Sequence, residues 1–332
     1  MSLLDTMPPF ELLQPASVAD AIALLDKHGK DAWVLAGGMD SLDWFKDRIK
    51  NPKVVVDLGR IGGLAGIRPS GDGLEIGAMT PLTQVATDRT LLSSYGLLAH
   101  AARKVASPQI RNRGTLGGNA CQDARCWYYR GGLPCYRAGG NTCYADTPTA
   151  INREHCLFEA DRCVAVSPSD TAPALVALEA KFVIHNAAGE RVVEAEDFFI
   201  GPKLDITRMT VLKPGDLLTA IRLPGTWAKA RFYFEKVADR QVWDFPLVNV
   251  ASAMIVQGNT IKKARVVVGG VAAHPLRLKS VEESLVGERP SAEVAEIAGK
   301  TAVYGARTLN HNHFKIPLLA NLVKRSVRGS AA

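Results

Sequence analysis

Hydrophobic and polar residues alternate with two different periods in the first part of the chain. Residues 18–27 place alanine and leucine at helical spacing behind Ser17, a residue type that commonly caps helices. Two short apolar runs, residues 32–35 and 53–58, enclose a second helical stretch at 41–49. Strand, helix and strand in this order predict a small α/β unit.

The middle of the chain has regular patterns on both sides of an irregular segment. Residues 73–77 predict a strand, and residues 82–105 predict a long helical region rich in alanine and leucine. Residues 121–163 show no steady period and predict a long loop, which needs a functional reason in a compact domain. The regular pattern resumes with a helix at 171–180 and a strand at 181–185.

The last third of the chain predicts a smaller second domain. The apolar run 218–223 ends at Pro224-Gly225, a pair typical of a domain end. Three strand patterns, near 231–236, 251–256 and 261–268, are followed by two or three helices. A chain of 332 residues is long enough for two or three domains.

Composition is that of a soluble globular protein, with 47% hydrophobic and 22% charged residues. No apolar run approaches the roughly 18 residues that a membrane span needs, and the N-terminus lacks the features of a signal peptide. We therefore expect a cytoplasmic protein, and the one route of export that stays open is as a passenger with a partner subunit. The net charge of +7 comes from scattered basic residues. It suits a face for an acidic partner subunit, and we expect neither membrane nor nucleic-acid binding.

Cysteine usage is the strongest compositional signal. All six cysteines fall within 43 residues, at positions 121, 126, 135, 143, 156 and 163. Without an export signal, clustered thiols indicate metal rather than disulfides. Four thiolates suit a 4Fe–4S cluster or a tetrahedral zinc ion equally well, because the spacing shows neither zinc-type Cys-x2-Cys pairs nor the ferredoxin run.

Two glycine-rich loops have the composition that lets a backbone approach a diphosphate. The first is Leu35-Ala36-Gly37-Gly38-Met39-Asp40-Ser41-Leu42, and the second is Arg113-Gly114-Thr115-Leu116-Gly117-Gly118-Asn119. Each loop alone is equally compatible with a tight turn, but together they could hold one dinucleotide from both sides. No Gly-x-Gly-x-x-Gly or Walker pattern follows a strand, so neither a Rossmann site nor a P-loop is supported.

The order of these motifs resembles the FAD subunit of the xanthine dehydrogenase and carbon monoxide dehydrogenase family of molybdenum hydroxylases. Further matching segments are Pro168-Ser169-Asp170, Ile221-Arg222-Leu223-Pro224, Phe234-Glu235-Lys236 and Val268-Gly269-Gly270-Val271-Ala272. The resemblance covers nearly the whole chain.

The resemblance implies an α+β fold with two domains. The first, over 1–225, is a two-lobed FAD-binding domain of the vanillyl-alcohol-oxidase type, with lobes at about 1–60 and 61–225 and the cysteine-rich insertion at about 121–163. The second, over 226–332, is a small α+β domain with a three-stranded antiparallel sheet and helices. FAD is expected between the lobes and the C-terminal domain.

The site residues are carried over from the same resemblance. A lysine beside the flavin could stabilise the anionic reduced ring, and Thr80 is a weaker candidate than the others. No residue of this chain is expected to be catalytic. The predicted FAD-binding residues are Leu35, Ala36, Gly37, Gly38, Met39, Asp40, Ser41, Leu42, Thr80, Thr115, Leu116, Gly117, Gly118, Asn119, Asp170, Leu218 and Lys236.

Two branches of the family, resembling 4-hydroxybenzoyl-CoA reductase and the periplasmic aldehyde oxidoreductase of enteric bacteria, carry a 4Fe–4S cluster on an insertion at this place. The resemblance implies four ligands, and the spacing is nearer to the aldehyde oxidoreductase version. Cys121 and Cys156 are expected as packed thiols, although ligand sets that include one of them, or His155, remain open. The four predicted ligands are Cys126, Cys135, Cys143 and Cys163.

The implied function is electron transfer through FAD and the cluster. The implied partners are a large molybdenum-cofactor subunit, a small 2Fe–2S subunit and an external electron carrier. Within the family, the alternative is the beta subunit of an enzyme like 4-hydroxybenzoyl-CoA reductase. From other classes, the alternatives are a zinc-stabilised scaffold without redox chemistry and a self-sufficient flavin oxidase.

Overall fold

Three β-sheets follow one another along the chain, and each is the basis of one structural unit. The computed structural model describes residues 6–329. In those residues, no helix is both long and apolar enough to cross a membrane.

The first unit is a parallel three-stranded sheet. Its central strand, Val54–Asp57, pairs with Glu11–Leu13 on one side and with Ala32–Leu35 on the other. The predicted strand–helix–strand unit is therefore confirmed, and Ser17 caps the first helix as expected. The helices of this unit, including short 3₁₀ turns, are Val18–His28, Gly29–Asp31, Ser41–Lys46, Leu58–Arg60 and Gly62–Leu64.

The second unit is built on an antiparallel five-stranded sheet. In sheet order its strands are Ile67–Ser70, Gly73–Gly77, Leu217–Leu223, Lys181–Asn186 and Gly189–Glu194. Its helices are Leu82–Thr87, Arg89–Ser94, Gly96–Arg103, Pro108–Arg113, Leu116–Ala120, Thr171–Ala177 and Ala195–Phe198, with a 3₁₀ turn at Gly225–Trp227.

The long helical region predicted over residues 82–105 is wrong as a single element. Asp88 leaves helical geometry, and its side chain accepts the backbone N–H of Leu91 at 2.9 Å, so that it caps a new helix. Tyr95 breaks the pattern again in a non-helical conformation. Aspartate competes with the helical backbone in this way at caps, which an apolar periodicity does not reveal.

The cysteine-rich insertion has two short helical pieces, Trp127–Arg130 and Tyr136–Ala138, and is otherwise irregular. It packs on the C-terminal domain through main-chain bonds: the N–H groups of Leu157 and Phe158 donate to the carbonyl of Val271 at 2.8 and 3.1 Å. The insertion thus lies between the C-terminal domain and the first unit, whose Trp44 and Phe45 share its apolar cluster.

The C-terminal unit has three long antiparallel strands and a fourth of two residues. In sheet order the strands are Leu276–Arg277, Thr260–Gly269, Val248–Gln257 and Arg231–Val237. The three predicted strands are present, and each extends beyond its predicted bounds. Three helices pack here: Lys279–Leu285, Ala292–Thr301 and Lys315–Gly329.

Candidate functional site

A cavity of about 1050 Å³ lies where the first unit, the second unit and the C-terminal domain meet. Small-molecule sites in proteins usually have volumes of roughly 300–1,000 Å³, so the cavity has room for a large ligand such as a dinucleotide. Eleven of the predicted cofactor residues border it: Ala36, Gly37, Gly38, Met39, Asp40, Ser41, Leu42, Thr115, Gly118, Asn119 and Asp170.

The two glycine loops touch each other beside this cavity. A Cβ on Gly37 would lie 2.0 Å from the carbonyl oxygen of Arg113, so only glycine lets the backbones approach this closely. Gly38 has a φ of +79°, which favours glycine, and a Cβ there would meet only the side chains of Leu35 and Leu42. The loops predicted separately from the sequence therefore form one wall of the cavity.

The first glycine loop lines the cavity and contains backbone donors that the protein itself does not use. Across the described part of the chain, the N–H groups of residues 37–41 donate no hydrogen bond to another residue. Consecutive free N–H groups attract anions. In the second loop, Gly118 donates instead to the Thr115 hydroxyl, at 3.1 Å.

Asn119 ties the second loop to the segment that follows the insertion. Its Oδ1 accepts hydrogen bonds from the hydroxyls of Ser169 and Thr171, at 2.7 and 2.6 Å. Its Nδ2 donates to the Gln122 side chain at 2.9 Å. The side chain therefore places Asp170 at the cavity edge as well as lining the cavity itself.

Several predicted cofactor residues support the wall rather than line it. Thr80 is fully buried, and its hydroxyl lies 2.7 Å from the carbonyl oxygen of Gly77. A Cβ on Gly117 would meet the carbonyl oxygen of Ala78 at 2.8 Å, so this glycine serves backbone packing. The predicted residues absent from the cavity lining are Leu35, Thr80, Leu116, Gly117, Leu218 and Lys236.

Lys236 does not line the cavity but forms an ion pair with Asp170, which does. Its Nζ donates to Asp170 Oδ2 at 2.6 Å and to the carbonyls of Lys104 and Asp244 at 3.0 and 2.7 Å. The side chains of Lys236 and Asp170 are only 7% and 3% exposed. Burial raises the pKa of Asp170, and the Lys236 ammonium and a hydrogen bond from Asn249 oppose that rise.

The structure adds lining residues that sequence patterns did not indicate. Arg130 of the insertion binds Asp40 with a 2.9 Å ion pair and stacks over the Trp44 ring, 4.2 Å from its centroid. Nothing in the local pattern pairs positions this far apart. The segment between two C-terminal strands contributes further unpredicted members: Asp239, Arg240, Trp243, Asp244 and Phe245.

Five of the six thiols share one apolar cluster. Cys126, Cys135 and Cys156 are buried in it, and Cys143 and Cys163 pack against it. Cys121 packs instead against the core of the second unit. Within residues 6–329, no three His, Cys, Asp or Glu side chains are arranged to hold a metal ion as they stand. The four predicted ligands thus share a region, but their sulfur atoms are not drawn together.

The electrostatics of the thiols reflect burial and mutual proximity. Burial raises the pKa of Cys126 to about 12, the backbone N–H groups of Tyr129 and Tyr128 oppose the rise, and Cys163 and Cys143 add to it. Burial likewise raises the pKa of Cys163. The free thiols of Cys126 and Cys163 are protonated at neutral pH, whereas a bound metal would require thiolates.

His155 is the buried titratable group beside these thiols. Its side chain lies with Nε2 3.3 Å from Cys126 Sγ, and the residue is 1% exposed. Burial, together with the nearby positive charges of Lys315 and Arg125, lowers the pKa of His155 to about 4. The ring is therefore neutral at physiological pH.

Comparison with known proteins shows to which family this architecture belongs. The FAD-binding domain of molybdopterin dehydrogenases matches residues 8–226, and the C-terminal domain of CO dehydrogenase flavoproteins matches residues 233–328. The chain belongs to the FAD-binding medium subunits of the molybdenum hydroxylases. The predicted family and the predicted fold class are thereby confirmed.

Individual relatives of this medium subunit span nearly its full length. The carbon monoxide dehydrogenase medium chain of Hydrogenophaga pseudoflava is 30% identical over 330 residues, 98% of each chain. The aldehyde oxidoreductase FAD-binding subunit PaoB of Escherichia coli is 32% identical and covers 93% of this chain and 94% of its own. A carbon monoxide dehydrogenase structure from Hydrogenophaga pseudoflava superposes with a TM-score of 0.79 at 29% identity, over 98% of each chain. The subunit is thus part of an oxidoreductase.

Proposed function

We propose that this subunit holds FAD in the cavity and a 4Fe–4S cluster on the insertion, and transfers electrons between them within a molybdenum hydroxylase of the aldehyde oxidoreductase type. One observation carries the proposal. The same cavity is bordered by both glycine loops and by Cys126 of the insertion. A flavin in this cavity would lie beside a predicted cluster ligand, as electron transfer over a short distance requires.

The residues that line the cavity suit a flavin dinucleotide. The free N–H groups of residues 37–41 would bind the diphosphate, and Gly118 would allow its close approach. The buried pair of Asp170 and Lys236 would orient the cofactor and exclude water from that side. FAD, when bound, supplies an exchange of two electrons with one partner and of single electrons with iron–sulfur centres.

The insertion offers four thiols of the right type in one region, supplied by Cys126, Cys135, Cys143 and Cys163. Because metal binding is coupled to folding, the cluster itself would draw their sulfur atoms together. The neighbouring aromatic side chains of Tyr129 and Trp44 shield that region from water.

The proposal includes three partners: a large molybdenum-cofactor subunit, a small 2Fe–2S subunit and an external electron carrier. Relatives named as medium chains support a complex of several subunits. Trp127 and Ile151 of the insertion are 64% and 68% exposed. Exposed apolar residues of this kind suit a permanent interface, which is more apolar than a transient one.

The first test is an anaerobic visible spectrum of the purified subunit, combined with metal and sulfide analysis. We expect one FAD, four irons and four sulfides per chain. Zinc in place of iron would contradict the cluster and favour the scaffold alternative, while FAD would still be present.

The second test is a pull-down from the native host with a tag on this chain, followed by mass measurement and metal analysis. We expect a large molybdenum-containing protein and a small 2Fe–2S protein in stable ratio. A lone flavoprotein that oxidises aldehydes without molybdenum would refute the subunit assignment.

A further inference from the structure

The ring of His155 is held against the sulfur of Cys126 inside the protein. Nε2 lies 3.3 Å from Sγ, and the two residues are 1% and 7% exposed. The ring also lies near the Tyr128 ring, with centroids 6.4 Å apart. A buried imidazole at this distance from a sulfur atom is positioned to form a hydrogen bond with it.

The sulfur atom decides which tautomer this contact requires. Within the described residues, Nδ1 of His155 is buried and has no hydrogen-bond partner, whichever nitrogen carries the hydrogen. A cysteine sulfur that binds a cluster is a thiolate, which carries no hydrogen and can only accept. The tautomer that suits a cluster on Cys126 therefore carries its hydrogen on Nε2, the nitrogen that faces the sulfur.

Side chains of the C-terminal domain hold the main chain at His155 in place. Lys315 donates to the carbonyls of Glu154 and His155 at 2.8 and 2.9 Å. Asn312 donates to the carbonyls of His155 and Cys156 at 3.2 and 2.9 Å. Lys315 and Asn312 are both fully buried. Two buried side chains from another domain therefore hold His155 in place.

We propose that His155 is a positioning residue that donates a hydrogen bond from Nε2 to the Cys126 sulfur and thereby raises the reduction potential of the cluster. The inference rests on the proposed function, since it assumes a cluster on Cys126. Reduction by one electron adds negative charge that the ligand sulfurs share. An N–H directed at one of these sulfurs stabilises the reduced state more than the oxidised state, as hydrogen bonds to cluster sulfurs do generally.

Two substitutions and a matched control test this inference in the complete subunit. His155→Phe keeps a ring of similar size but removes the donor, and His155→Gln keeps an N–H that can reach the sulfur. His185→Phe is the control, because His185 lies on the five-stranded sheet and bonds to Thr219 at 2.9 Å. Iron and sulfide per chain are measured first. The midpoint potentials of cluster and flavin are then measured in one EPR-monitored reductive titration.

We expect four irons in every variant, a more negative cluster potential in His155→Phe, and recovery in His155→Gln. The flavin potential should stay constant as an internal reference. An unchanged cluster potential in His155→Phe would overturn this inference but leave the proposed cluster in place. Loss of iron from His155→Phe and His155→Gln would overturn it too, because His155 would then be a ligand. A wild-type protein without iron would overturn the proposed cluster together with this inference.

A measurement on the wild-type protein does not depend on whether the variants fold. In protein labelled with ¹⁵N-histidine, pulsed EPR of the reduced cluster should show one weak nitrogen coupling, transmitted through the N–H···S contact. Absence of any ¹⁵N coupling would refute the hydrogen bond. A strong coupling, characteristic of a directly coordinated imidazole, would also refute it.

Discussion

Removing the ammonium of Lys236 should destabilise the subunit strongly and in a pH-dependent way. Lys236→Met keeps the alkyl chain but leaves the carboxylate of Asp170 buried, 3% exposed, with the Asn249 amide as its remaining side-chain partner at 3.1 Å. Breaking a buried pair by removing one partner costs about 3–5 kcal/mol. We expect a loss of that size at pH 8.

Lowering the pH should recover part of this loss. In the variant, the folded-state pKa of Asp170 rises further above the unfolded value of about 3.9, because the largest opposing charge is removed and only the Asn249 hydrogen bond and the smaller effect of Arg125 still oppose burial. A carboxyl with a raised folded pKa favours folding most at low pH, and that contribution is lost as pH rises through the folded pKa. At pH 5 the cost should fall to about 1–2 kcal/mol, the value of lost hydrogen bonds.

The assay is urea unfolding followed by tryptophan fluorescence at pH 5 and pH 8, with FAD in constant excess. Lys53→Met is the matched control, because Lys53 pairs with Asp31 at 3.1 Å where the side chains are 75% and 42% exposed. That pair should contribute about 0–1 kcal/mol. Adding Asp170→Asn to Lys236→Met should recover about 2 kcal/mol at pH 8. A Lys236→Met variant as stable as the control at pH 8 would refute the reasoning.

Three further predictions concern the cofactors. Gly38→Val and Gly118→Val should lose most of the flavin absorbance per chain but keep iron, because branched side chains would fill the cavity wall or, at Gly38, strain a φ of +79°. Gly29→Val is the control, with a φ of +51° outside the cavity, and equal flavin loss there would remove the cavity argument. Acid precipitation should release the flavin into the supernatant, because neither glycine loop contains His or Cys for a covalent bond; yellow precipitate would contradict this. Serine at any one of the four predicted cluster ligands, Cys126, Cys135, Cys143 and Cys163, should lower the content of iron and sulfide per flavin. Loss of iron in Cys121→Ser or Cys156→Ser would instead show a different ligand set.

Local sequence patterns predicted most elements because the determinants are themselves local. The strands Ala32–Leu35 and Gly73–Gly77 have the predicted bounds, since short apolar runs between turn residues leave few alternatives. The pattern failed over residues 82–105, where the side chain of Asp88 ends one helix and caps the next. A cap depends on one side chain and its hydrogen bond, which a hydrophobic period does not record.

The sequence by itself also determined the family, the two glycine loops and the concentration of thiols, because each depends on residue type and order. Only the tertiary structure decided which of those residues reach the cavity. Gly38 lines it while Gly117 packs on Ala78, although both belong to similar loops. Whether a side chain faces a ligand or a neighbouring strand depends on how distant segments pack.

The same dependence on packing explains why the spacing of residues along the chain does not predict certain side-chain contacts. Arg130 reaches Asp40 across 90 positions, and Lys236 reaches Asp170 across 66. The position of His155 against Cys126 depends on Lys315, 160 positions further along the chain. A sequence records which donors and acceptors are present. Their pairing depends on the folded arrangement, because burial makes each unpaired polar group costly and so selects the packing that satisfies most of them.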